Sequence, residues 1–293
     1  MLSLLIPVLN EKENILALYR RLQEIAEKLK PHPVEYIIID DGSTDGSLAL
    51  LSELAQKDPA VKIISFTRNF GSHAALRAGL EHAKGDAAVN ISADLQEPPE
   101  LIIEIFKKWQ EGNTLVLGVR SHRNDPFLRK VSSLLAHKFI RGLVSISFPS
   151  SVFDICLLDR SIINEVILLE GRNVSFFNLI LSLTNSFETV NYTRDRRLHG
   201  GTKWTFGMLV RLFINSIIPF SKFSMRLLFY AGIFLIQASV SFAVLSRNLP
   251  AIIVLCGFQT LLLMLITEYL MRTFVLEKSQ ARYLIKEKIN LSK

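Results

Sequence analysis

Short apolar runs alternate with segments of helical periodicity over the first 120 residues. Ile15, Leu18, Leu22 and Ile25, for example, recur every three or four positions, which is typical of a helix with one buried face. The apolar runs that predict strands are residues 2–8, 34–39, 61–66, 86–91 and 114–119, followed by a mixed run at 152–158. Because alternating strands and helices connect through right-handed crossovers, this pattern predicts an α/β domain with a doubly wound, mostly parallel, Rossmann-like sheet.

The hydrophobic pattern changes near residue 206, after a predicted α/β domain at 1–205. Residues 206–226 are apolar but include basic residues and proline, as expected of an amphipathic segment that lies on a membrane surface. Two runs within 227–271 contain a single charged residue, Glu268, and each is long enough to cross the hydrocarbon core. We therefore predict a two-helix transmembrane hairpin, with two buried core helices as the weaker alternative, and a basic cytoplasmic tail at 272–293.

Charge and cysteine content narrow the classes of partner. The 293-residue chain carries 34 lysine and arginine residues against 27 acidic ones, and this net charge of +7 suits a phosphorylated substrate or an anionic lipid. We expect no nucleic-acid partner, because no motif for one accompanies the charge. The two cysteines, Cys156 and Cys256, lie in apolar runs, which argues against a disulfide.

The distribution of basic residues predicts the orientation in the membrane. Basic residues flank the outer ends of the predicted hairpin, so both termini are expected in the cytoplasm. Residues 1–8 are too short for the apolar region of a signal peptide and have no basic stretch before them. The α/β domain is therefore expected to stay on the cytoplasmic side as well.

Polar and acidic side chains follow three of the predicted strands. Asn10 and Glu11 follow the first strand, Asp40 and Asp41 end the second, and Asp94 lies in the loop after the fourth. Open α/β sheets bind their ligands at this edge. Asp40 and Asp41 can accept from a base N–H or a ribose hydroxyl, or they can cap a turn, and the residues alone favour capping. Asp94 can hold a divalent cation that neutralises a diphosphate leaving group, or it can cap the following helix, and the residues alone do not decide between these two roles.

Basic residues cluster in two later segments. One follows the fifth predicted strand, and the other is a glycine-flanked loop after the last strand of the α/β domain. The members are Arg120, Arg123 and Arg129 in the first segment, and Arg194, Arg196, Arg197 and Lys203 in the second. Such clusters suit phosphate recognition, or contact with anionic lipid headgroups, and the two roles are compatible if the substrate is itself a membrane phosphate.

Six short motifs occur in order along the chain and are followed by two apolar spans. The motifs are Pro7-Val8-Leu9-Asn10-Glu11, Asp40-Asp41-Gly42-Ser43-Thr44-Asp45, Arg68-Asn69-Phe70-Gly71, Ala93-Asp94-Leu95-Gln96-Glu97-Pro98-Pro99-Glu100, Asp154 with Leu157-Leu158-Asp159-Arg160, and 194–204. In this order they resemble the family 2 glycosyltransferases of GT-A fold. More narrowly, the chain is similar to the polyisoprenyl-phosphate glycosyltransferases, a group that includes dolichyl-phosphate mannose synthase and bacterial undecaprenyl-phosphate glucosyltransferases.

The resemblance implies a role for each matched residue. Asp94 and Gln96 would hold a divalent cation, Mg²⁺ or Mn²⁺, and Asp94 and Asp154 would act at the reacting centre. The residues implied in donor binding are Pro7, Asn10, Glu11, Asp40, Asp41, Ser92, Asp94 and Gln96. Those implied in binding the acceptor phosphate are Arg120, Arg129, Ser133, Arg194, Arg197, Thr202 and Lys203.

The resemblance also implies the reaction. It is inverting transfer of a sugar from a nucleotide-diphosphate donor, expected to be UDP-linked, to a polyprenyl phosphate at the cytoplasmic face of a bacterial inner membrane. Transfer to a lipid-linked saccharide in cell-surface polysaccharide synthesis is an alternative. Ser92 stands where the family usually has the first acid of Asp-x-Asp, so a binding subunit of low activity is a further alternative. The sugar is not determined, and a homo-oligomer is left open.

Overall fold

The structure, a computed structural model, describes residues 1–120, 153–169, 176–184, 186–193, 232–234, 237–238, 256–267, 270 and 283–291. The strands in these ranges are β1 (Leu2–Val8), β2 (Val34–Asp40), β3 (Val61–Phe66), β4 (Ala87–Asn90), β5 (Leu115–Arg120), β6 (Phe153–Asp159), β7 (Glu188–Tyr192) and β8 (Ile285–Ile289). The helices packed on them are α1 (Lys12–Lys28), α2 (Ser47–Lys57), α3 (Ser72–His82), α4 (Leu101–Gln110), α5 (Arg160–Leu168) and α6 (Phe176–Leu183).

The described strands form a single mixed sheet in the order β7-β5-β6-β4-β1-β2-β3-β8. β6 pairs antiparallel with β4 and β5, and β8 pairs antiparallel with β3, whereas the other pairings are parallel. Six strands therefore share one direction and two oppose it. The predicted α/β domain with a mostly parallel sheet is confirmed.

The central strands are apolar along their whole length because helices cover both faces of the sheet. Tyr36, Ile37, Ile38 and Ile39 of β2 are all at most 4% exposed. Helices α1, α2 and α4 pack on one face, where the predicted stripe that begins at Ile15 is buried, and α3, α5 and α6 pack on the other. Burial on both faces explains why the sequences of these strands are continuously apolar and do not alternate between apolar and polar residues.

The edge strand β8 was not predicted, because the sequence analysis assigned all of 272–293 to a cytoplasmic tail. In the structure Tyr283 stacks on Phe66 with ring centroids 4.9 Å apart, and the Asn290 amide donates to the carbonyls of Ala55 and Val61 at 2.6 and 2.9 Å. The middle of the strand is charged and exposed, as is common for strands that protect a sheet edge. Residues 283–291 therefore belong to the α/β domain.

The predicted amphipathic segment at 206–226 lies outside the described residues, as does most of the predicted hairpin. Two helical pieces of the hairpin are described and touch each other: a Cβ placed on the buried Gly232 would lie 2.9 Å from Leu262 Cδ2. Phe234 and Met264 on these pieces are 70% and 73% exposed. Within the described ranges, no helix has the length and apolar character needed to cross a membrane. The transmembrane hairpin stays a prediction.

Candidate active site

The loops with the predicted donor-site residues meet at the carboxyl edge of the parallel strands. Val8 at the end of β1 is paired with Asp40 at the end of β2, and the Asp41 N–H donates to the Val8 carbonyl at 2.8 Å. Pro7, one residue before the end of β1, is partly buried beside Ile39. The sheet therefore gathers the first, second and fourth loops, as the sequence analysis expected.

Side-chain hydrogen bonds join the first loop to the second. The Asn10 side-chain carbonyl accepts from Thr44 N at 2.8 Å, and the Asn10 N–H donates to Ser43 Oγ at 2.9 Å. The Glu11 N–H donates to Ser47 Oγ at 3.2 Å, and its carboxylate accepts from the Asn14 amide. Asn10, with φ at 53°, therefore holds the second loop in place from a left-handed backbone conformation that asparagine tolerates better than most residues.

Asp40 and Asp41 are almost fully buried and bond to their own surroundings. Asp40 accepts from Ser43 N at 3.2 Å and from Ser65 Oγ at 3.0 Å, while Asp41 accepts from the N–H groups of Phe70 and Gly71 at 2.7 and 2.9 Å. Burial raises the pKa of Asp41 above its ordinary value, although the two N–H bonds oppose the rise. Both acids thus brace neighbouring loops, and their contact with a nucleotide stays a prediction.

Gly42 lets the second and third loops pack directly on each other. Its φ is +77°, and a Cβ there would lie 2.6 Å from the backbone carbonyl carbon of Arg68. Only glycine adopts this conformation without strain and leaves space for the neighbouring chain. Together with the Asp41 bonds, this close approach fixes the segment Arg68-Asn69-Phe70-Gly71 beside the second loop.

Asp94 lies in a compact turn after β4 and does not cap the following helix. The residue at the N-cap of α4 is Glu100, so the helix-cap alternative for Asp94 is wrong. Asp94 is 6% exposed, and its Oδ1 accepts from Ser92 Oγ at 2.7 Å and from Gln96 N at 3.2 Å. The Ser92 hydroxyl also contacts the carboxyl group of Glu97, a residue that the sequence analysis did not single out.

The donor atoms in this turn fit a hard divalent cation. Asp94 offers a carboxylate, Gln96 an amide oxygen and Ser92 a hydroxyl, and Mg²⁺ and Mn²⁺ prefer oxygen ligands. In the described part of the chain, no group of three or more histidine, cysteine or acidic side chains is arranged to hold a metal alone. Since Mg²⁺ is usually held by one or two carboxylates together with substrate phosphates, the residues suit a cation shared with a diphosphate.

A second polar group is centred on Asp154 and is built by side chains from four neighbouring strands. Arg120 ends β5, Asp154 lies near the start of β6, and Tyr192 ends β7 directly opposite Arg120. The Arg120 Nε and the Tyr192 hydroxyl both donate to Asp154 Oδ2, the latter at 2.8 Å. From β4, the Asn90 amide donates to the Asp154 backbone carbonyl at 2.7 Å. The structure thus brings the predicted Arg120 and Asp154 together.

Tyr192 and Asn90 were missed by the sequence analysis. Burial raises the pKa of Tyr192 well above its ordinary value, and the negative charges of Asp154 and Glu97 raise it further, so its hydroxyl remains a hydrogen-bond donor. The available signal was a polar residue at the end of each of two strands, Tyr192 at the end of β7 and Asn90 at the end of the buried β4. The remaining predicted acceptor residues lie outside the described ranges: Arg129, Ser133, Arg194, Arg197, Thr202 and Lys203.

Comparison with known proteins agrees with this architecture. "Uncharacterized glycosyltransferase YkcC" of Bacillus subtilis (strain 168) is 38% identical over 232 residues, which cover 79% of this chain and 72% of that protein. The "Bactoprenol glucosyl transferase" of Shigella phage SfX is 34% identical over 305 residues, covering 98% and 99% of the two chains. The crystal structure of mannosyl-3-phosphoglycerate synthase from Rubrobacter xylanophilus has the same fold, with a TM-score of 0.53, 16% identity, and 73% and 72% of the two chains covered.

A family match decides the classification. The sequence model described as "Glycosyl transferase family 2" matches residues 3–167, more than half of the chain. This range contains the Asp94 turn and the strand with Asp154, the two regions in which the structure groups the predicted catalytic residues. The chain therefore belongs to glycosyl transferase family 2 and is a glycosyltransferase.

Proposed function

We propose that the protein transfers glucose, with inversion, from UDP-glucose to undecaprenyl phosphate at the cytoplasmic face of the membrane. The observation that carries the proposal is the 34% identity with a bactoprenol glucosyl transferase over 98% of this chain. This match extends beyond the sugar-transfer domain and includes the region of the predicted hairpin. A soluble acceptor would not explain why the sugar-transfer domain is followed by a predicted membrane hairpin.

The donor diphosphate is expected at the Asp94 turn. A divalent cation bound there with the diphosphate would neutralise the charge that develops on the departing nucleotide. Asp94 and Gln96 would hold it, and Asp94 is already oriented by Ser92 and by the Gln96 N–H. Asp41 keeps the third loop packed against the second, so the wall of the proposed nucleotide pocket is built before the donor arrives.

The acceptor phosphate is expected beside Arg120. A phosphate is already anionic at neutral pH, so it needs little help from a general base, and positioning and charge stabilisation carry most of the rate. Asp154 Oδ2 accepts hydrogen bonds from both the Arg120 guanidinium and the Tyr192 hydroxyl, so the carboxylate holds Arg120 beside Tyr192. In this proposal Asp154 orients Arg120 toward the attacking phosphate oxygen instead of removing a proton from it.

The pairing of β8 with β3 supports the predicted membrane topology. Strands of one sheet lie on one side of a membrane, so residues 61–66 and 285–289 share a compartment. Any crossing segments between them must then be even in number, as a two-helix hairpin requires. The contact between Gly232 and Leu262 fits that hairpin, because small residues let membrane helices approach closely.

The test is glucose transfer by the full-length protein in membranes or detergent. We expect radiolabel from UDP-[¹⁴C]glucose to enter an organic-extractable lipid only when undecaprenyl phosphate and a divalent cation are added, with release of UDP. Undecaprenol without its phosphate is the matched control acceptor, and UDP-galactose is the control donor. Transfer that occurs only with a lipid-linked saccharide would refute this acceptor, and no transfer from any UDP-sugar would refute the proposal.

A further inference from the structure

The turn that carries Asp94 brings a second buried acid into the site. Glu97 is 2% exposed, and its Oε2 contacts the Ser92 hydroxyl, whose oxygen lies 2.7 Å from Asp94 Oδ1. One serine hydroxyl therefore joins the carboxyl groups of Asp94 and Glu97. The family match gives no role to Glu97, and Glu97 is not among the site residues predicted from the sequence.

The backbone of the turn creates this arrangement. Leu95 has φ at 57°, in the left-handed region that a leucine rarely adopts, and its side chain is 2% exposed. This reversal brings residue 97 back to residue 92 and points the Gln96 N–H at Asp94. Because such a conformation persists only when its surroundings determine it, the meeting of Ser92 and Glu97 is specified by the fold.

Glu97 also lies close enough to the second polar group to affect it. Its negative charge is one of the causes that raise the pKa of Tyr192, after burial and the charge of Asp154. Tyr192 in turn donates to Asp154. Glu97 thus contacts Ser92 in the turn expected to bind the donor, and its charge also acts on Tyr192 in the second polar group.

We propose that Glu97 is a positioning residue of the cation site, acting on Asp94 through Ser92. It orients Asp94 and supplies, one contact further from the cation, the negative charge that an aspartate at position 92 would carry. An acid at position 92 would meet the Glu97 carboxylate at hydrogen-bonding distance, where like charges repel. Ser92 and Glu97 therefore form a matched pair, in which the acid at 97 favours a neutral hydroxyl over a second acid at 92.

This inference rests on the proposed use of a cation and a nucleotide diphosphate, and calorimetric titration of Mn²⁺ in the presence of saturating UDP tests it. We expect Glu97→Gln in the full-length protein to weaken Mn²⁺ binding about tenfold or more, as the loss of a partner that orients a metal ligand usually does. Glu100→Gln is the matched control. It removes the same charge from the same loop, but Glu100 is exposed and pairs with Arg21 at 2.5 Å, so we expect wild-type Mn²⁺ binding.

A charge exchange makes the test independent of the folding of one variant. Ser92→Asp should bind Mn²⁺ more weakly than the wild type because its new carboxylate faces Glu97. The double variant Ser92→Asp/Glu97→Gln should recover most of the loss, so that the two substitutions are not additive. If Glu97→Gln alone does not fold, the comparison of Ser92→Asp with the double variant decides.

Two results would refute the proposed action of Glu97 through Ser92. One is that Glu97→Gln binds Mn²⁺ as tightly as Glu100→Gln, and the other is that Ser92→Asp alone binds Mn²⁺ more tightly than the double variant. Glucose transfer by the wild type is measured separately. Transfer that persists while the pair has no effect rejects this inference and leaves the proposed function standing. Absence of transfer to undecaprenyl phosphate, with the Mn²⁺ effects present, rejects the proposed function and leaves the pairing of Ser92 and Glu97 in the cation site.

Discussion

Buried acids occur at both the amino ends and the carboxyl ends of the parallel strands, and the surroundings of these acids differ. At the amino end of the parallel strands, Glu35 is 3% exposed and accepts from the Lys62 ammonium, from Ser3 Oγ at 2.5 Å and from Lys84 N at 2.7 Å. At the carboxyl end, Asp41 is equally buried, but in the described part of the chain its carboxylate accepts from the N–H groups of Phe70 and Gly71.

The difference appears in the pKa values of the two acids. Burial alone would raise the pKa of Glu35, but hydrogen bonds from Lys62, Ser3 and Lys84 bring it below its ordinary value. Burial raises the pKa of Asp41, and the nearby Asp40 contributes to the rise. An acid paired with a lysine inside the protein serves the fold, whereas a raised pKa beside a second acid, as at Asp41, is more typical of a functional site. The comparison therefore separates structural acids from candidate functional ones.

The largest effect is expected at the carboxyl end, for Asp94→Asn. This substitution should remove about 3 kcal/mol or more of transition-state stabilisation, which lowers kcat/KM for glucose transfer roughly a hundredfold. The carboxylate is lost from the proposed cation site, while the turn keeps an acceptor for Ser92 and Gln96. Steady-state kinetics measure the loss, and the melting temperature should change little. Asp86→Asn, which removes an exposed acid from the other end of the sheet, should behave like the wild type. Near-normal turnover of Asp94→Asn would contradict the assignment.

At the amino end, Glu35→Gln should lower stability and leave catalysis intact. The substitution leaves the Lys62 ammonium, whose side chain is 15% exposed, without its carboxylate. Breaking such a buried pair costs about 3 kcal/mol. Denaturant unfolding of the full-length protein in detergent measures the change in midpoint. The kcat of the folded enzyme should stay close to that of the wild type, and a specific loss of kcat would show that the two ends are not separable in this way.

A smaller effect is expected for Tyr192→Phe. The change removes one hydrogen bond to the Asp154 carboxylate and keeps the ring, and hydrogen bonds to charged groups contribute about 2 kcal/mol. If Asp154 and Tyr192 orient Arg120, the apparent KM for undecaprenyl phosphate should rise while the KM for UDP-glucose stays the same. Tyr36→Phe, at a buried tyrosine remote from Asp154, is the control. Equal changes in both KM values would argue against an acceptor-side role.

The smallest effect is a difference in pH dependence between the two acids. The folded pKa of Glu35 is depressed, so its stabilising contribution is present above its ordinary pKa of 4.5 and is lost as the pH falls through the folded value. The folded pKa of Asp41 is raised above 3.8, so ionisation of this group costs stability, and the cost decreases as the pH falls through the folded pKa and is gone below 3.8. On acidification, the stability advantage of the wild type over Glu35→Gln should therefore shrink. The stability of the wild type relative to Asp41→Asn should rise instead. Unfolding curves between pH 3 and 7 would refute this if both differences moved in the same direction.

The sequence by itself determined the central strands, the helices between them and the loops at the carboxyl edge. Apolar runs such as 34–39 predicted buried strands because burial on both faces requires continuous apolar residues, and this requirement is local. The end of a strand and a loop acid after it are also local features. Asp40, Asp41 and Asp94 could therefore be placed at one edge from the residue pattern alone, since parallel strands bring their carboxyl ends together.

Only the tertiary structure decided which side chains meet. Asp154, Arg120 and Tyr192 lie on three strands whose order in the sheet, β7-β5-β6, differs from their order in the chain, and no spacing along the sequence records that order. The pairing of β8 with β3 could not be predicted either, because the charged residues of β8 resemble those of a polar tail. Even Ser92 and Glu97, five residues apart, meet only because Leu95 takes a left-handed conformation that the packing of the turn imposes. Local pattern selects the elements, whereas contacts between distant elements select the partners of each functional group.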